Sequence, residues 1–447
     1  MILRPHGSTW ALFFALTPVF FAILSTASMP VLAGELDEQL QDRDDETIAI
    51  SSIDIQGLER TRESVVLNEL TLAPGQDVTE EDLIESRRRL RNLPLFRQTT
   101  FDLQDTDGDG QRLVISVDER WTLLPSANFS TTDDTTLLRL GAREINLMGR
   151  YIELGAAYER LTGLHSGEIW FRNPRLRGRT LDVAVDAQYR NRIYPSYDDE
   201  GAIDGGFAIR RISLSSEALH EISPWIHLGA RFQALSDQPS LDPVGATMRD
   251  AQQQRGLPPS SRLFRPGLLA RIGQMNQLGL VMGGITLDLQ IDGASQSLGS
   301  TDSFLAADAV LRGAISLPYQ SNLLTRLRLG RTGAASPQHQ LYIGGLDEVR
   351  AFPDMRFRGS HRWYANAEYR IPSLGNEWVT LQHVFFVDAG AIGDATSDLR
   401  GLDALSTGLG LRLKSPRIHG LALRFDLALS LHGGGDAPFG FGSRQFF

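Results

Sequence analysis

The chain has 447 residues, of which 42% are hydrophobic and 22% charged, with a formal charge of −10 and no cysteine. That composition excludes wholesale disorder and a helical membrane bundle, and the acidic balance excludes a general nucleic-acid binder, whose footprint is basic. Without cysteine there is no disulfide scaffold, thiol nucleophile, paired-cysteine redox site or Cys-ligated zinc.

Arg4 precedes an apolar stretch over residues 11–24, and Val31, Leu32 and Ala33 lead into polar sequence at Gly34 and Glu35. A charged start, a short apolar core and a small residue before a polar segment describe a secretory signal peptide. Residues 1–33 are therefore expected to be removed on export, and residues 34–47 read as an acidic linker. Beyond them no run reaches the ~18 apolar residues that a membrane helix needs.

Residues 48–120 predict a small β-α-α-β-β unit. Ile48, Ile50, Ile53 and Ile55 lead to Gly57, with a slip in the alternation between Ile50 and Ile53. Val65, Val66, Leu67 and Leu70 form a helical pattern that Pro74 and Gly75 stop. Thr79 can cap a second helix with Asp82, and Leu83, Ile84 and Leu90 give it an apolar side. Extended segments at 99–103 and 113–117 join through the acidic turn 105–110. That turn copies the opening of an EF-hand loop, but Ser116 stands where a bidentate Glu is needed, so a hairpin is expected. Arg87, Arg88, Arg89 and Arg91 read as a solvated helix face. With Ile53-x-Ile55-x-Gly57, the Leu83, Leu90, Leu93, Phe96 series and Val117-x-Glu119, the unit resembles a POTRA (polypeptide-transport-associated) domain. The resemblance implies a periplasmic domain with a sheet edge open to strand addition.

From residue 121 to 447 the period becomes two. Leu181, Val183, Val185, Ala187 and Tyr189 alternate with polar or small residues, as do Leu421 to Leu431, Val281 to Ile291 and Leu305 to Leu317. Strands of about 9–12 residues with one apolar face fit a bilayer crossed at a tilt. Connections alternate between short (146–149, 318–321, 415–420) and long (192–204, 236–260, 330–360). Phe446 and Phe447 end the chain as bacterial outer-membrane barrels commonly end. The expected fold is thus mainly β: a transmembrane antiparallel barrel of about 16 strands behind one small α+β domain. An arginine facing lipid at mid-depth costs roughly 2–4 kcal/mol, so Arg190, Arg326, Arg328, Arg370 and Arg424 are assigned to a polar, hydrated lumen.

One ordered series of motifs carries most information. Loop 330–360 holds Gly344-Gly345 and then Val349-Arg350-Ala351-Phe352; Asn366, Glu368 and Arg370 follow on one strand face. Next come Phe386-x-Asp388-x-Gly390 and Gly408-x-Gly410-x-Arg412. Together with the turns Asn146-Leu147-Met148-Gly149 and Asn173-Pro174-Arg175-Leu176, this series resembles the BamA/TamA superfamily of outer-membrane assembly and translocation proteins. Alternation places Glu368 and Asp388 inside the barrel, where a long loop can bring Arg350 to both. From residues alone, a lock and a solvated loop arginine are equally open; the resemblance implies the lock. It also implies a glycine after the tip arginine, where this chain has Ala351. Either the tip keeps φ negative there or the lock is weaker, because a left-handed L-residue costs roughly 1–2 kcal/mol.

The expected function is assembly or translocation of polypeptides across or into the outer membrane, without catalysis. A client opening is expected at a weak seam between a first strand at 126–132 and a last at 439–447, with Phe129, Phe441 and Phe447 marking it and Gly440 and Gly442 weakening it. Partners are unfolded outer-membrane or secreted client polypeptides, outer-membrane lipids and accessory envelope proteins, not nucleic acid; no cofactor is implied. The main alternative is a pore exporting one dedicated soluble partner. A passive porin leaves the POTRA-like unit unexplained, and an enzyme barrel has neither Gly-x-Ser-x-Gly nor His-Glu-x-x-His in its favour.

Overall fold

The computed structural model describes residues 47–106, 110–131, 136–242, 244–376, 378–418, 422–435 and 439–442. The signal segment and nearly all of the acidic linker lie outside these residues, as do Phe446 and Phe447.

The N-terminal unit comprises β1 (Ile48–Gln56), α1 (Glu63–Leu67), β2 (Asp77–Val78), α2 (Glu80–Asn92), β3 (Phe96–Asp105) and β4 (Gln111–Glu119). The sheet order is β2-β1-β4-β3, which adds the two-residue β2 to the expected pattern. The slip in the isoleucine alternation is a bulge: β1 pairs in parallel with β4, and the register shifts between Ile50 and Ser52. Thr79 caps α2 reciprocally, its hydroxyl accepting from Asp82 N at 3.2 Å while the Asp82 carboxylate accepts from Thr79 N at 3.2 Å. β3 and β4 pair antiparallel from Phe96↔Glu119 to Asp105↔Gln111, as a hairpin requires, while residues 107–109 of the acidic turn lie outside the described residues. Val66, Leu90, Leu95, Leu113 and Ile115 form the core, and β3 is left as an unpaired edge.

The remaining chain builds β5 (Leu123–Thr131), β6 (Thr136–Glu144), β7 (Glu153–Leu161), β8 (Leu164–Asn173), β9 (Leu181–Tyr197), β10 (Ile203–Ser223), β11 (Ile226–Ser240), α3 (Ala246–Arg255) and β12 (Ser261–Leu278). There follow β13 (Val281–Ala294), β14 (Phe304–Leu317), β15 (Ser321–Thr332), β16 (Leu341–Ile343), β17 (Phe357–Gly359), β18 (His361–Gly375), β19 (Thr380–Gly393), β20 (Ala404–Lys414), β21 (Ala422–His432) and β22 (Phe439–Gly442). All but β16 and β17 form one 16-stranded sheet that runs from β22 to β5. Exposed Ile169, Ile212, Leu268, Leu305, Phe385 and Leu427 face outward, and their chain neighbours face inward.

Three boundaries differ from expectation. Segment 192–204 is mostly ribbon, because β9 and β10 run to Tyr197 and back from Ile203. The first barrel strand begins at Leu123, not residue 126. The described last strand is only Phe439–Gly442, and residues 443–447, with Phe447, lie outside the described residues.

The two domains meet at the short turns of the barrel. Glu119 accepts hydrogen bonds from the backbone of Arg60 (3.1 Å) and Thr61 (2.9 Å), which fixes the loop after Gly57. That loop engages the 146–149 turn: Asn146 Nδ2 donates to Thr61 Oγ1 at 2.9 Å, and Arg62 N to Gly149 O at 2.9 Å. Arg175 of the next turn makes a two-pronged bond to Glu69 (2.7 and 2.6 Å), which is almost fully buried. Arg89 of α2 meets Glu221 at 2.6 Å, and Asn92 Nδ2 donates to Asn276 Oδ1 at 2.9 Å. Arg89 is thus a docking residue, which corrects its reading as part of a solvated face.

Candidate functional site

The connection between β15 and β18 turns into the barrel instead of standing outside it. β16 and β17 pair as a short hairpin, Leu341↔Gly359 to Ile343↔Phe357. Val349 and Phe352 are buried with Ile343, Tyr364, Ile392 and Ala404. This apolar cluster carries the tip to mid-strand depth, beside Glu368 of β18 and Asp388 of β19.

Arg350 is 2% exposed, and both carboxylates are fully covered. Its Nε and Nη2 donate to the two Asp388 oxygens at 2.6 and 2.7 Å, its backbone N to Oδ2 at 3.1 Å, and its Nη1 to Glu368 Oε1 at 2.7 Å. The guanidinium lies 3.4 Å from the centre of the Phe386 ring, a cation–π seat beneath the fork. Gly408 makes room for that ring: a Cβ there would stand 2.5 Å from Phe386 Cζ and 2.1 Å from Leu427 O. A Cβ on Gly410 would meet Asp426 Oδ1 at 2.4 Å, and one on Gly390 would meet Trp363 O and Tyr364 Cβ at 3.1 Å. The spacing of these motifs is therefore the spacing of one assembly across β18–β21.

Five further members complete that assembly: Asn366, Arg370, Arg412, Arg424 and Asp426, of which the sequence indicates the inward phase but not the role. Asp426 accepts from Arg412 Nη1 at 2.7 Å and Arg424 Nε at 3.0 Å, and lies 3.6 Å from Arg350 Nη1. Arg412 also reaches Glu368 at 3.1 Å, and Arg370 forks onto the other Glu368 oxygen at 2.8 and 2.6 Å. Their signal was present in the inward phase of Gly410-x-Arg412 and Arg424-x-Asp426. Asn366 completes the seat, donating to Asp388 Oδ1 at 2.8 Å and Glu348 O at 2.6 Å. The expectation of a hydrated lumen fails at this depth, because the loop covers the cluster.

Ala351 takes φ = 72°, so the tip does not keep φ negative. The strain of roughly 1–2 kcal/mol is partly offset, because the methyl is buried with Val384, Phe386 and Ala428. One buried methyl is worth ~0.8 kcal/mol.

The loop is tethered on the opposite wall as well. Arg192 of β9 pairs with Asp354, and Gln338 Nε2 donates to Pro259 O at 3.0 Å. Arg211 forks onto buried Asp237 at 2.7 Å by both nitrogens. His339 Nε2 lies 2.9 Å from Ser261 Oγ and 3.5 Å from Asp237. Serine, histidine and aspartate meet here, but not as a triad: both partners share one ring nitrogen, whereas a triad needs one on each. Burial, with Arg211 nearby, pushes the His339 pKa down to about 4 from 6.5. A released loop would take up a proton below about 6.5, and the seated loop only near 4, so seating weakens as pH falls through that window. A spin label on Ser336→Cys should gain mobility between these pH values, and His339→Gln should abolish the transition.

At the seam, β22 pairs with β21 from Arg424↔Gly442 to Leu427↔Phe439, yet no ladder joins it to β5 among the described residues. A Cβ on Gly442 would lie 3.4 Å from Asn128 Oδ1 of β5, so the edges are neighbours. A Cβ on Gly440 would stand 2.2 Å from Leu346 Cδ1 of the loop. Phe129 faces outward and Phe441 packs on Phe425 at 4.9 Å between ring centres.

A family model for the Omp85 superfamily domain matches residues 146–445, and a POTRA model, described as a surface antigen variable number repeat, matches residues 48–120. CdiB from Escherichia coli is similar in structure at 15% identity and a TM-score of 0.59, over 89% of this chain and 76% of that one. CdiB from Acinetobacter baumannii gives 14% and 0.54, over 89% and 73%. BamA from Haemophilus ducreyi lacking POTRA domains 1–3 gives 14% and 0.53, over 88% and 84%. At these identities the likeness is one of fold. No curated protein matches in sequence. The family match spans the turns that dock the N-terminal unit, the tip arginine and its carboxylates, and on that match this chain belongs to the Omp85 superfamily.

Proposed function

We propose that this chain accepts unfolded polypeptides in the periplasm and releases them into the outer membrane through the β5–β22 seam, with loop 330–360 locked in the lumen by Arg350, Glu368 and Asp388. The observation that carries the reading is the barrel sheet itself, which among the described residues ends at two adjacent strands without a ladder between them. An unpaired strand edge is a template for an incoming strand. The lumen route is obstructed by a loop tethered to both walls, which argues against a passive porin.

The periplasmic unit offers the first such edge in β3, where Arg97, Gln98, Thr100, Asp102 and Gln104 are exposed. Beside it, α2 presents exposed Ile84, and Arg87 lies over the half-buried Phe101 ring at 5.7 Å. A client strand added to β3 gains backbone hydrogen bonds whatever its sequence, as a receiver of many clients requires.

Depletion of the protein in its host, followed by a proteomic census of outer membrane and medium, tests this. Loss of several barrel proteins from the membrane is expected. Loss of a single secreted protein with the membrane unchanged would replace the reading by dedicated export.

A further inference from the structure

The outward face of β8–β12 is not a uniform apolar belt. A groove of about 790 Å³ lies over these strands. Two neighbouring rows of residues, each running across the five strands, build its floor. One row is Ile169, Ala187, Leu214, Ala234 and Phe264, joined through successive registers. The next is Gly167, Tyr189, Ile212, Ser236 and Arg262. The small side chains of Ala187, Ala234 and Ser236 leave a channel between the larger ones. Both rows face lipid: Ile212 is 60% and Leu214 52% exposed, while their neighbour Arg211 points inward to Asp237.

One row nearer the loop end the chemistry changes. Asn191, Arg210 and Gln238 are in register there, and Arg210 donates to Gln238 Oε1. Arg210 and Arg262 are both exposed on the lipid side. At the turn end of the same strands the outward positions are apolar Phe171, Ile222, Ile226 and Ile272. An outward arginine costs several kcal/mol at mid-membrane and roughly 0–1 kcal/mol at an interface, so these two mark the boundary with the headgroups. Because the periplasmic unit docks on the turns, that boundary belongs to the outer leaflet.

We propose that this groove binds a phosphorylated, anionic lipid of the outer leaflet, its acyl chains along Ala187 and Ala234 and its phosphate at Arg210 and Arg262. An arginine fork suits phosphate oxygens geometrically as well as by charge. Apolar floor and cationic end together select for a lipid with both parts, not for free phosphate or a neutral headgroup.

The test is native mass spectrometry of the full-length protein in detergent. It is titrated separately with a diphosphorylated glycolipid of the lipid A class, with phosphatidylethanolamine and with inorganic phosphate. The glycolipid is expected to remain bound where phosphatidylethanolamine leaves. Combining Arg210→Gln with Arg262→Gln should weaken retention roughly tenfold or more, and Ala234→Trp, which fills the floor, should weaken it too. Arg331→Gln, at an exposed arginine on β15 away from the groove, should bind like the native chain. All of these sites face outward, and heat-modifiable mobility verifies that each variant is folded. Equal retention of phosphatidylethanolamine, competition by phosphate alone, or unchanged binding in both the arginine and tryptophan variants overturns the proposal.

Discussion

Arg350→Ala should free the tip of the lumen loop and weaken its seating by ~3–5 kcal/mol, the cost of leaving buried charges without their partner. The full range applies because the arginine and both carboxylates are covered from water. Asp388 would keep Asn366 as a side-chain donor, and Glu368 would keep Arg370 and Arg412. Asp388→Asn should be milder, since an amide oxygen can still accept from the guanidinium, although the charge and half the fork are lost. Protease cleavage within 341–357 from the outer side of intact proteoliposomes measures the release. It should rise strongly for Arg350→Ala, less for Asp388→Asn, and transport should fall in the same order. Native protection and activity in both variants would mean the network holds nothing that matters.

Joining the two edge strands should have the larger effect, because it removes the opening altogether. The chain has no cysteine, so a pair introduced as Asn128→Cys and Gly442→Cys stands alone. A Cβ on Gly442 would lie 3.4 Å from Asn128 Oδ1, so the two positions face each other across the seam. Formation of the bond is itself verified before transport is measured, because a disulfide needs Cα atoms roughly 4.4–6.8 Å apart. Oxidation should stop client release and reduction should restore it in the same molecules. A matching pair at Ala218→Cys and Ala230→Cys, which are in register in the β10–β11 ladder and already carry a Cβ, should leave activity intact.

The sixteen strands were legible because each has one face toward lipid and one toward polar groups, which writes a period of two into the sequence. The outer half of β9 and β10 was not legible for the complementary reason. There both faces are covered, with Ile193, Phe207, Ala208 and Ile209 all buried, so alternation disappears and Pro195 and Gly201 suggest a loop. α3 was missed because it is short and polar, and it is held by its packing on β10 through Met248 and Val244. At the site, Arg350, Glu368 and Asp388 could be named because they stand in ordered motifs. Arg412 and Asp426 showed only the inward phase of their strands; that this face meets Glu368 is set by the pairing of β18 to β21, which no local spacing records. The conformation of Ala351 was equally out of reach: its left-handed backbone is imposed by the seat that the loop occupies.

The most direct measurement of whether this chain handles polypeptides uses liposomes containing only the purified protein. An unfolded outer-membrane barrel is added, and its conversion to the heat-modifiable, protease-resistant form is followed in time. The rate should exceed that in empty liposomes and fall to the empty-liposome rate when the 128–442 pair is oxidised. A rate equal to that of empty liposomes with the seam free, or one unaffected by closing it, would contradict release through the seam.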